Sequence, residues 1–587
     1  MILQNIIFPK TNVCSIFDLY FRINDDKCYS FNDSRITLNS EEVALFDTYF
    51  NGFYIDKWKK YTEITNVSLT LRLKGKFSIR LIHKERLINK KCKTVVLDEI
   101  IFGSVTEDEI TIEYPDKSSG ILTFEIISLE DYSQILDGYY SSEICHSKIN
   151  HVDLGLCICT YKRERYVIEN VNRIVNVLDN GNTPLPKDKM RIYISDNGNT
   201  LDSEFDPAYI KLIKNKNTGG AGGFARCMIE AQCDNKTTHV ILMDDDILFD
   251  VESIYRTYAI LSILKREYQD AFIGGAMLSL DEQNIQIESG AKWNGASVHS
   301  LKNGLNLTSC EACLFNEIEE SVDYNAWWYC AIPLKKIIEN GLPIPIFFRG
   351  DDIEFGLRNI GNLILLNGIC VWHEPFENKY SSSTYYYILR NKLILNSLHN
   401  IGYTKKQLIR DYLKQWSSEM TRYRYKNAKL LTKGVEDFLR GYVWLKSEDG
   451  EMLHKNIMAL GYKLEPVSNL KMEFSYSDLG ADLQNKVRPY PWFINLILPT
   501  NKNVTVNVYN PPNHKFNRAH KVLNYDYSNK RAFVTSKNIR CALKEMKRTF
   551  TVLISVWKEY DIVKSEYRKN KDKITNVDFW MKYLKLE

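Results

Sequence analysis

The chain has 587 residues, more than one hydrophobic core organises, and at ~150 residues per domain it predicts three or four units. Its apolar fraction is 44%, and no apolar run nears the ~18–20 residues of a membrane span; the longest, Trp492–Leu498 and Phe550–Trp557, exclude a helical integral membrane protein. The net charge of +4 is unevenly placed: from Lys515 to Lys573 there are 16 Lys/Arg against 6 Asp/Glu, leaving 61 against 67 elsewhere, so a basic C-terminal stretch on a mildly acidic body suits an anionic partner.

The start, MILQNIIFPK, lacks a basic region and a small-residue cleavage site, and so does not read as a secretory signal. Thirteen cysteines are scattered, and the one CxxC (Cys310, Cys313) has no second pair at zinc spacing. Reduced core thiols and a cytoplasmic protein are expected.

Residues 1–150 read as β. Val67–Ile82 alternates apolar and polar with Gly75 near its centre, as a hairpin does, and Ile110–Tyr114 and Ile121–Ile127 repeat the pattern across a turn. Short strands between turns predict a β-sandwich or jelly roll. The aromatic residues of Phe46–Trp58 read as core packing rather than a sugar-stacking platform.

At His151 the texture changes. Asp153–Cys159 and Arg191–Ser195 are buried-strand runs separated by a helix-like Glu164–Leu178, and polar residues follow each strand. Ile210–Ile213 leads into Asn215–Arg226 (NKNTGGAGGFAR), whose glycines feed a helix expected near Phe224; a helix start of this kind attracts phosphate. It is neither a Walker loop nor a Rossmann fingerprint. Some twenty residues on, the strand His239–Met243 ends in Asp244, Asp245 and Asp246. Three carboxylates at a strand's carboxyl end repel one another unless a cation lies between them, and hard oxygen ligands suit Mg²⁺ or Mn²⁺. Asp244 and Asp246 share a side of the extended chain and are the expected ligands.

Downstream, Arg349–Arg358 (RGDDIEFGLR) opens a helix with Asp351 and Asp352 in its first turn, either as simple capping groups or as a general base. Beyond Asn400 the reading is helical, with Lys405–Trp416 and Asn427–Trp444 at three-and-four spacing and short strands near Asn503–Tyr509 and Ala532–Thr535. A long helix from Lys537 lines one face with Phe550, Leu553, Trp557, Tyr560 and Tyr567, either as a packing helix with solvated charges, the preferred reading, or as a membrane-surface helix.

The order CTYKR, SDNG, NTGGAGGFAR, MDDD resembles family 2 glycosyltransferases of the GT-A fold, and within them the polymerising galactofuranosyltransferases of cell-wall synthesis. The resemblance implies an α/β fold: a GT-A, Rossmann-like mixed-sheet core at 151–400, an N-terminal β-sandwich at 1–150 and a mainly helical, basic region at 401–587. It implies an inverting, metal-dependent transfer from UDP-galactofuranose to a growing lipid-linked polysaccharide. By the same resemblance the metal, Mn²⁺ or Mg²⁺, is held by Asp244, Asp246 and His373. Arg163 meets the diphosphate, Asp196 or Asn197 the uracil and ribose region, Asn217 the base or ribose, and Asp245 the ribose or donor sugar. Asp352 is the base, with Asp351 bonding a sugar. Trp293, Trp327 and Trp328 lie beside the sugars. Tyr385–Asn391 resembles the family's YxxxRN helix; its Arg390 pairs either with the diphosphate or with an acidic core group, a structural or supporting role being preferred.

The family departs here at Thr218, which replaces an apolar residue, and in the neighbourhood of His373. The expected location is the cytoplasmic face of the inner membrane, with peripheral contact through the basic C-terminal region, an oligomer of like chains as an option, and no nucleic acid. Two other readings stand beside this one. A sugar nucleotidylyltransferase is disfavoured because the first strand lacks a triphosphate loop. A non-catalytic glycan-binding assembly protein is disfavoured by the intact acidic motifs.

Overall fold

The computed structural model describes every residue except 90, 204, 376–378, 471–487 and 587, and for residue 26 the backbone alone. Part of the irregular stretch expected at 470–535 therefore lies outside the described residues.

The N-terminal sheet is built on one long strand. β1 (Ser68–Arg86) pairs along its whole length with β2 (Cys92–Glu113). Its other edge is shared: the second half pairs with β3 (Ile121–Ser128) and the first half with β4 (Ser133–Ser141). The hairpin expected about Gly75 is therefore not there. Gly75 has φ +115°, and the β1–β2 register shifts between Leu73 and Gly75, so it is a bulge that bends one strand, as glycine permits. A Cβ on it would sit 2.5 Å from Ser133 Oγ. Alternation alone does not separate a bulged strand from a hairpin. The aromatic residues Phe46, Tyr49, Phe50, Phe53 and Trp58 are buried in this unit's core, as read.

The second unit opens with β5 (Leu154–Thr160), α1 (Glu164–Asp179), β6 (Met190–Asp196), β7 (Ile210–Lys214), α2 (Gly219–Cys233) and β8 (His239–Asp244). These four strands are parallel in the spatial order β7-β6-β5-β8. Order reverses between β5 and β8, and the crevice outside the carboxyl ends at such a switch point is where α/β sheets bind ligands. α3 (Glu252–Ser262) follows, then β9 (Phe272–Ser279) and β10 (Tyr329–Pro333), which runs antiparallel to both β8 and β9. β11 (Leu363–His373) pairs parallel with β9. The result is a mixed α/β sheet of the expected kind.

α2 begins at Gly219, five residues before the expected Phe224. The glycines are thus the helix's first turns, where they allow close packing. A Cβ on Gly223 would lie 2.1 Å from Cys159 Sγ on β5, and one on Gly219, at φ +72°, 2.0 Å from the Phe347 carbonyl oxygen.

α4 (Asp351–Asn359) and α5 (Ser383–Leu398) complete the core, and α6 (Lys405–Thr421) and α7 (Tyr425–Leu439) pack beyond it. The helical C-terminal region also holds a four-stranded sheet of Glu465–Pro466, Lys502–Asn507, Ala519–Asp526 and Arg531–Ser536. Short α8 (Trp492–Ile497) precedes that sheet's second strand, and α9 (Ile539–Lys569) follows the last. The buried face of α9 carries Val552, Val556, Tyr560, Val563 and Tyr567, whereas Phe550 and Trp557 are 66% and 58% exposed. The expected face had merged two neighbouring stripes, because at about 100° per residue 550 and 557 lie about 60–100° round the helix from 560 and 567, with half-buried Leu553 between them. Among the described residues no helix is long and apolar enough to cross a membrane.

Candidate active site

Parallel register brings the strand ends to one edge: Thr160 lies opposite Asp196, and Cys159 opposite Asp244. The Thr160 hydroxyl donates to Asp245 Oδ2 at 2.8 Å, tying β5 to the acidic run across the switch point. β11 delivers His373 beside that run, with Ser279 of β9 opposite it in register. One ligand atom each from Asp244, Asp246 and His373 lies within 4.8 Å of the others. His373 Nδ1 is 2.6 Å from the Glu374 carbonyl oxygen. A carbonyl only accepts, so Nδ1 carries a proton, and Nε2 faces the aspartates, 3.5 Å from Asp246 Oδ1.

Cations already gather at this charge. Arg163 Nη1 lies 2.7 Å from Asp246 and 3.0 Å from Asp245, and Lys379 Nζ lies 2.6 Å from Asp246. Burial opposes ionisation of Asp246, but the His373 hydrogen bond and the charges of Arg163, His373 and Lys379 override it and hold the carboxyl well below the usual range. Asp244 goes the other way: burial, then the Asp246 charge, push it up to about 7. Two carboxylates and an imidazole with unequal proton affinities form a set that fits Mn²⁺ or Mg²⁺.

Asp351 and Asp352 open α4 from a tightly held loop. Phe347 and Arg349 adopt positive φ (77° and 67°), unusual for residues with a Cβ, and Gly350 follows at 99°. α5 holds that strap. Asn391 Nδ2 donates to the carbonyls of Phe348 (2.8 Å) and Arg349 (2.9 Å), and Arg390 Nη2 to Ile346 (2.7 Å). Arg390 is fully buried and holds the strap, the structural side of the two roles left open for it.

The two aspartates differ sharply. Burial and the neighbouring Asp352 charge push Asp351 well above the carboxylate range, and the Asp244 charge adds to this. Burial raises Asp352 only to about 6, since the Ile353 N–H (2.8 Å) and the Arg349 charge favour its ionised form. At neutral pH one carboxyl is a donor and its neighbour a base, the separation that assigns acid and base roles.

Glu288 went unread in the sequence. It is buried, its Ser300 partner leaves Oε1 with no hydrogen bond, and burial raises it to about 7, with the Asp352 charge adding. It reaches the site through the sheet edge rather than through any motif. Lys379 had no sequence signal either.

The other expected contacts are spoken for by the fold. Asp196 accepts the N–H groups of Gly198 (2.9 Å) and Leu201 (2.7 Å). Asn197 Nδ2 donates to the Gly219 carbonyl at 3.0 Å, and Asn217 Oδ1 accepts the Gly219 N–H at 3.2 Å. All three shape the turns that end β6 and start α2. Trp327 packs between Phe224 and Phe355, and Trp328 Nε1 donates to the Gly275 carbonyl at 2.9 Å. Each tryptophan is only 5% exposed. Trp293 is half-buried, its Nε1 donating to Asn396 at 2.9 Å.

Residues 3–141 match the family model described as galactofuranosyltransferase 2 N-terminal. The galactofuranosyltransferase GlfT2 of Mycolicibacterium smegmatis is 24% identical over 476 residues, 75% of this chain and 71% of that protein. That of Mycobacterium tuberculosis is 24% identical over 479 residues, 75% and 72% respectively. Among solved structures, the mannosyltransferase PcManGT from Pyrobaculum calidifontis, in complex with GDP-Man and Mn²⁺, covers 53% of this chain and 81% of its own at 11% identity and a TM-score of 0.28. The chain is a glycosyltransferase with an α/β core. Among glycosyltransferases it is similar to the galactofuranosyltransferases GlfT2 over three quarters of its length.

Proposed function

We propose that the protein is an inverting, metal-dependent galactofuranosyltransferase that extends a lipid-linked cell-surface polysaccharide from UDP-galactofuranose. The observation that carries this is the pair of aspartates at the start of α4, pushed apart in proton affinity and within electrostatic reach of Asp244. The relatives' names support the sugar. The catalytic unit is taken as residues 151–400, between a β unit at 1–150 and the basic region at 401–587.

Asp244, Asp246 and His373 would hold Mn²⁺ or Mg²⁺, which supplies Lewis-acid neutralisation of the departing diphosphate. Arg163, now paired with Asp245 and Asp246, is one side-chain swing from that diphosphate and brings a fixed positive charge. Asp352, ionised at neutral pH, takes the proton of the acceptor hydroxyl as its oxygen bonds to the anomeric carbon of galactofuranose. The bond from that carbon to the β-phosphate breaks, and UDP leaves with the electron pair. Attack opposite the leaving group inverts the anomeric centre. Asp351, protonated, donates to a sugar oxygen and fixes the ring beside the base. Glu288, which feels the Asp352 charge and has one carboxyl oxygen without a hydrogen bond, is suited to an acceptor hydroxyl. Asp196, Asn197 and Asn217 shape the nucleotide pocket through the turns they hold, and Trp293 offers the most accessible aromatic surface for the glycan. Work on a lipid-linked acceptor places the enzyme peripherally on the inner-membrane face.

The test is UDP release with Mn²⁺ from UDP-galactofuranose, UDP-galactopyranose and UDP-glucose, each with a galactofuranose-terminated acceptor. Release from the furanose donor alone is expected. Release chiefly from either pyranose would replace the donor and leave the catalytic roles to stand.

A further inference from the structure

The acidic edge of the sheet holds a cation on a tether. Lys379 follows His373 by six residues in the chain and reaches back to it. Its ammonium lies 2.6 Å from Asp246 Oδ2 and 3.5 Å from His373 Nε2, so it touches two of the three groups that converge as a metal set. An ammonium is a compact point charge with donors and no acceptor, and at these groups it answers the same electrostatic need as a metal ion.

Lysine and metal therefore compete for Asp246. The same oxygen, Oδ2, also receives Arg163 Nη1 at 2.7 Å, so one carboxylate oxygen serves two side-chain cations. Together they bring the charge of one divalent ion. Were both to stay when that ion binds, three cations would crowd a carboxylate whose side chain is 13% exposed, where repulsion is screened far less than in water. The partners decide which one gives way. Arg163 has a second buried carboxylate, Asp245, at 3.0 Å. Lys379 meets Glu374 at 3.8 Å, past hydrogen-bond range, and that carboxylate is largely hydrated. Its own side chain is part-exposed on a flexible four-carbon stem, so the ammonium moves without moving the backbone. Once off Asp246 it needs another anion, and the metal brings one to the same edge, the diphosphate of the donor.

We propose that Lys379 is a tethered counter-ion of the metal site, whose ammonium holds Asp246 before loading, gives way to the divalent cation and then pairs with the donor diphosphate. This rests on the metal-dependent, UDP-using reading above and adds to it a coupling. Metal alone has to displace a bound charge and gains little. Metal and nucleotide together give that charge a new partner, so each raises the affinity of the other by the same factor.

Mn²⁺ binding to the full-length protein is titrated by electron paramagnetic resonance of the free ion, without and with UDP, and UDP binding by calorimetry. No acceptor or turnover is needed. In Lys379→Met, Mn²⁺ alone is expected to bind roughly tenfold tighter than in the wild type, and UDP with Mn²⁺ roughly tenfold weaker, while Lys379→Arg restores both. A residue that merely supported the fold would weaken Mn²⁺ binding when removed, the opposite sign. The wild type supplies a second readout that survives an unfolded variant: acetylation of Lys379, followed by peptide mass spectrometry, should quicken with Mn²⁺ alone and slow again when UDP is added. Mn²⁺ affinity unchanged or weakened in Lys379→Met, or acetylation indifferent to Mn²⁺, overturns the proposal. Tighter Mn²⁺ with unchanged UDP affinity overturns the transfer to the diphosphate. Failure of wild type and variant alike to bind Mn²⁺ would overturn the metal reading itself, and this inference with it.

Discussion

Asp351 and Asp352 share a helical turn and both accept backbone N–H groups, but the Arg349 guanidinium also favours the charge of Asp352, while the Asp352 and Asp244 charges oppose that of Asp351. Asp352→Asn removes the proton acceptor and keeps the shape, so kcat is expected to fall by on the order of 10³-fold, with UDP affinity by calorimetry unchanged. Matching losses in both would reassign Asp352 to structure. The pH profile follows from the same residue. A base raised to about 6 is ionised above that pH and protonated below it, so kcat/KM should be flat from pH 7 upward and fall tenfold per unit on the acid side of about 6. A profile still flat at pH 5 would remove Asp352 from the role. The two carboxylates proposed as metal ligands were legible in the sequence, because a β-rich run ending in three aspartates announces itself, whereas His373 came from the family resemblance alone, since by itself it reads as a surface-loop histidine. Glu288 was not, for a lone carboxylate on a short strand carries no local pattern and gains meaning only when the sheet brings it near Asp352.

Elements hold these residues at their angles. The strap from Ile346 to Gly350 contains two side-chain-bearing residues at positive φ, a conformation that costs ~1–3 kcal/mol per residue and persists only under restraint. Asn391 and Arg390 supply that restraint from α5. Asn391→Ala is expected to relax the strap and shift Asp352, lowering kcat by on the order of 100-fold while UDP affinity holds. Single-turnover kinetics beside calorimetry checks this; a loss confined to UDP binding would mean that the strap serves the nucleotide instead. The same elements show where sequence patterns stop. Glycine clusters signal loops by prior, so the start of α2 was placed five residues late; its glycines answer to Cys159 and Phe347, distant contacts that no window of sequence contains. Gly75 misled for the complementary reason, since a bulge keeps a strand's alternation while bending it.

At the scale of the molecule, the N-terminal sheet is fastened to the catalytic core by buried polar groups. Arg256 of α3, 2% exposed, donates from Nη2 to the carbonyls of Asn5 (3.2 Å) and Phe50 (2.8 Å) and pairs with Glu252 at 3.1 Å. Glu252 in turn accepts the backbone N–H and the side-chain amide of Asn5 at 2.8 and 2.7 Å. Lys57 of the N-terminal unit meets Glu317 at 2.8 Å, with both side chains nearly inaccessible. Gly368 keeps the route open, because a Cβ there would lie 1.8 Å from Arg256 Nη1. A buried charge that loses its partner costs ~3–5 kcal/mol, so neither unit presents this face to water without penalty. Arg256→Ala is therefore expected to destabilise the whole chain by about 3 kcal/mol and to lower one shared melting transition, followed by calorimetry. A chain cut to residues 151–587 should expose Glu252, Arg256 and Glu317 together and yield no stable catalytic core. If instead that fragment melts cooperatively near the full-length temperature, the N-terminal sheet is an independent module attached to a self-sufficient enzyme, and the buried network serves to orient it.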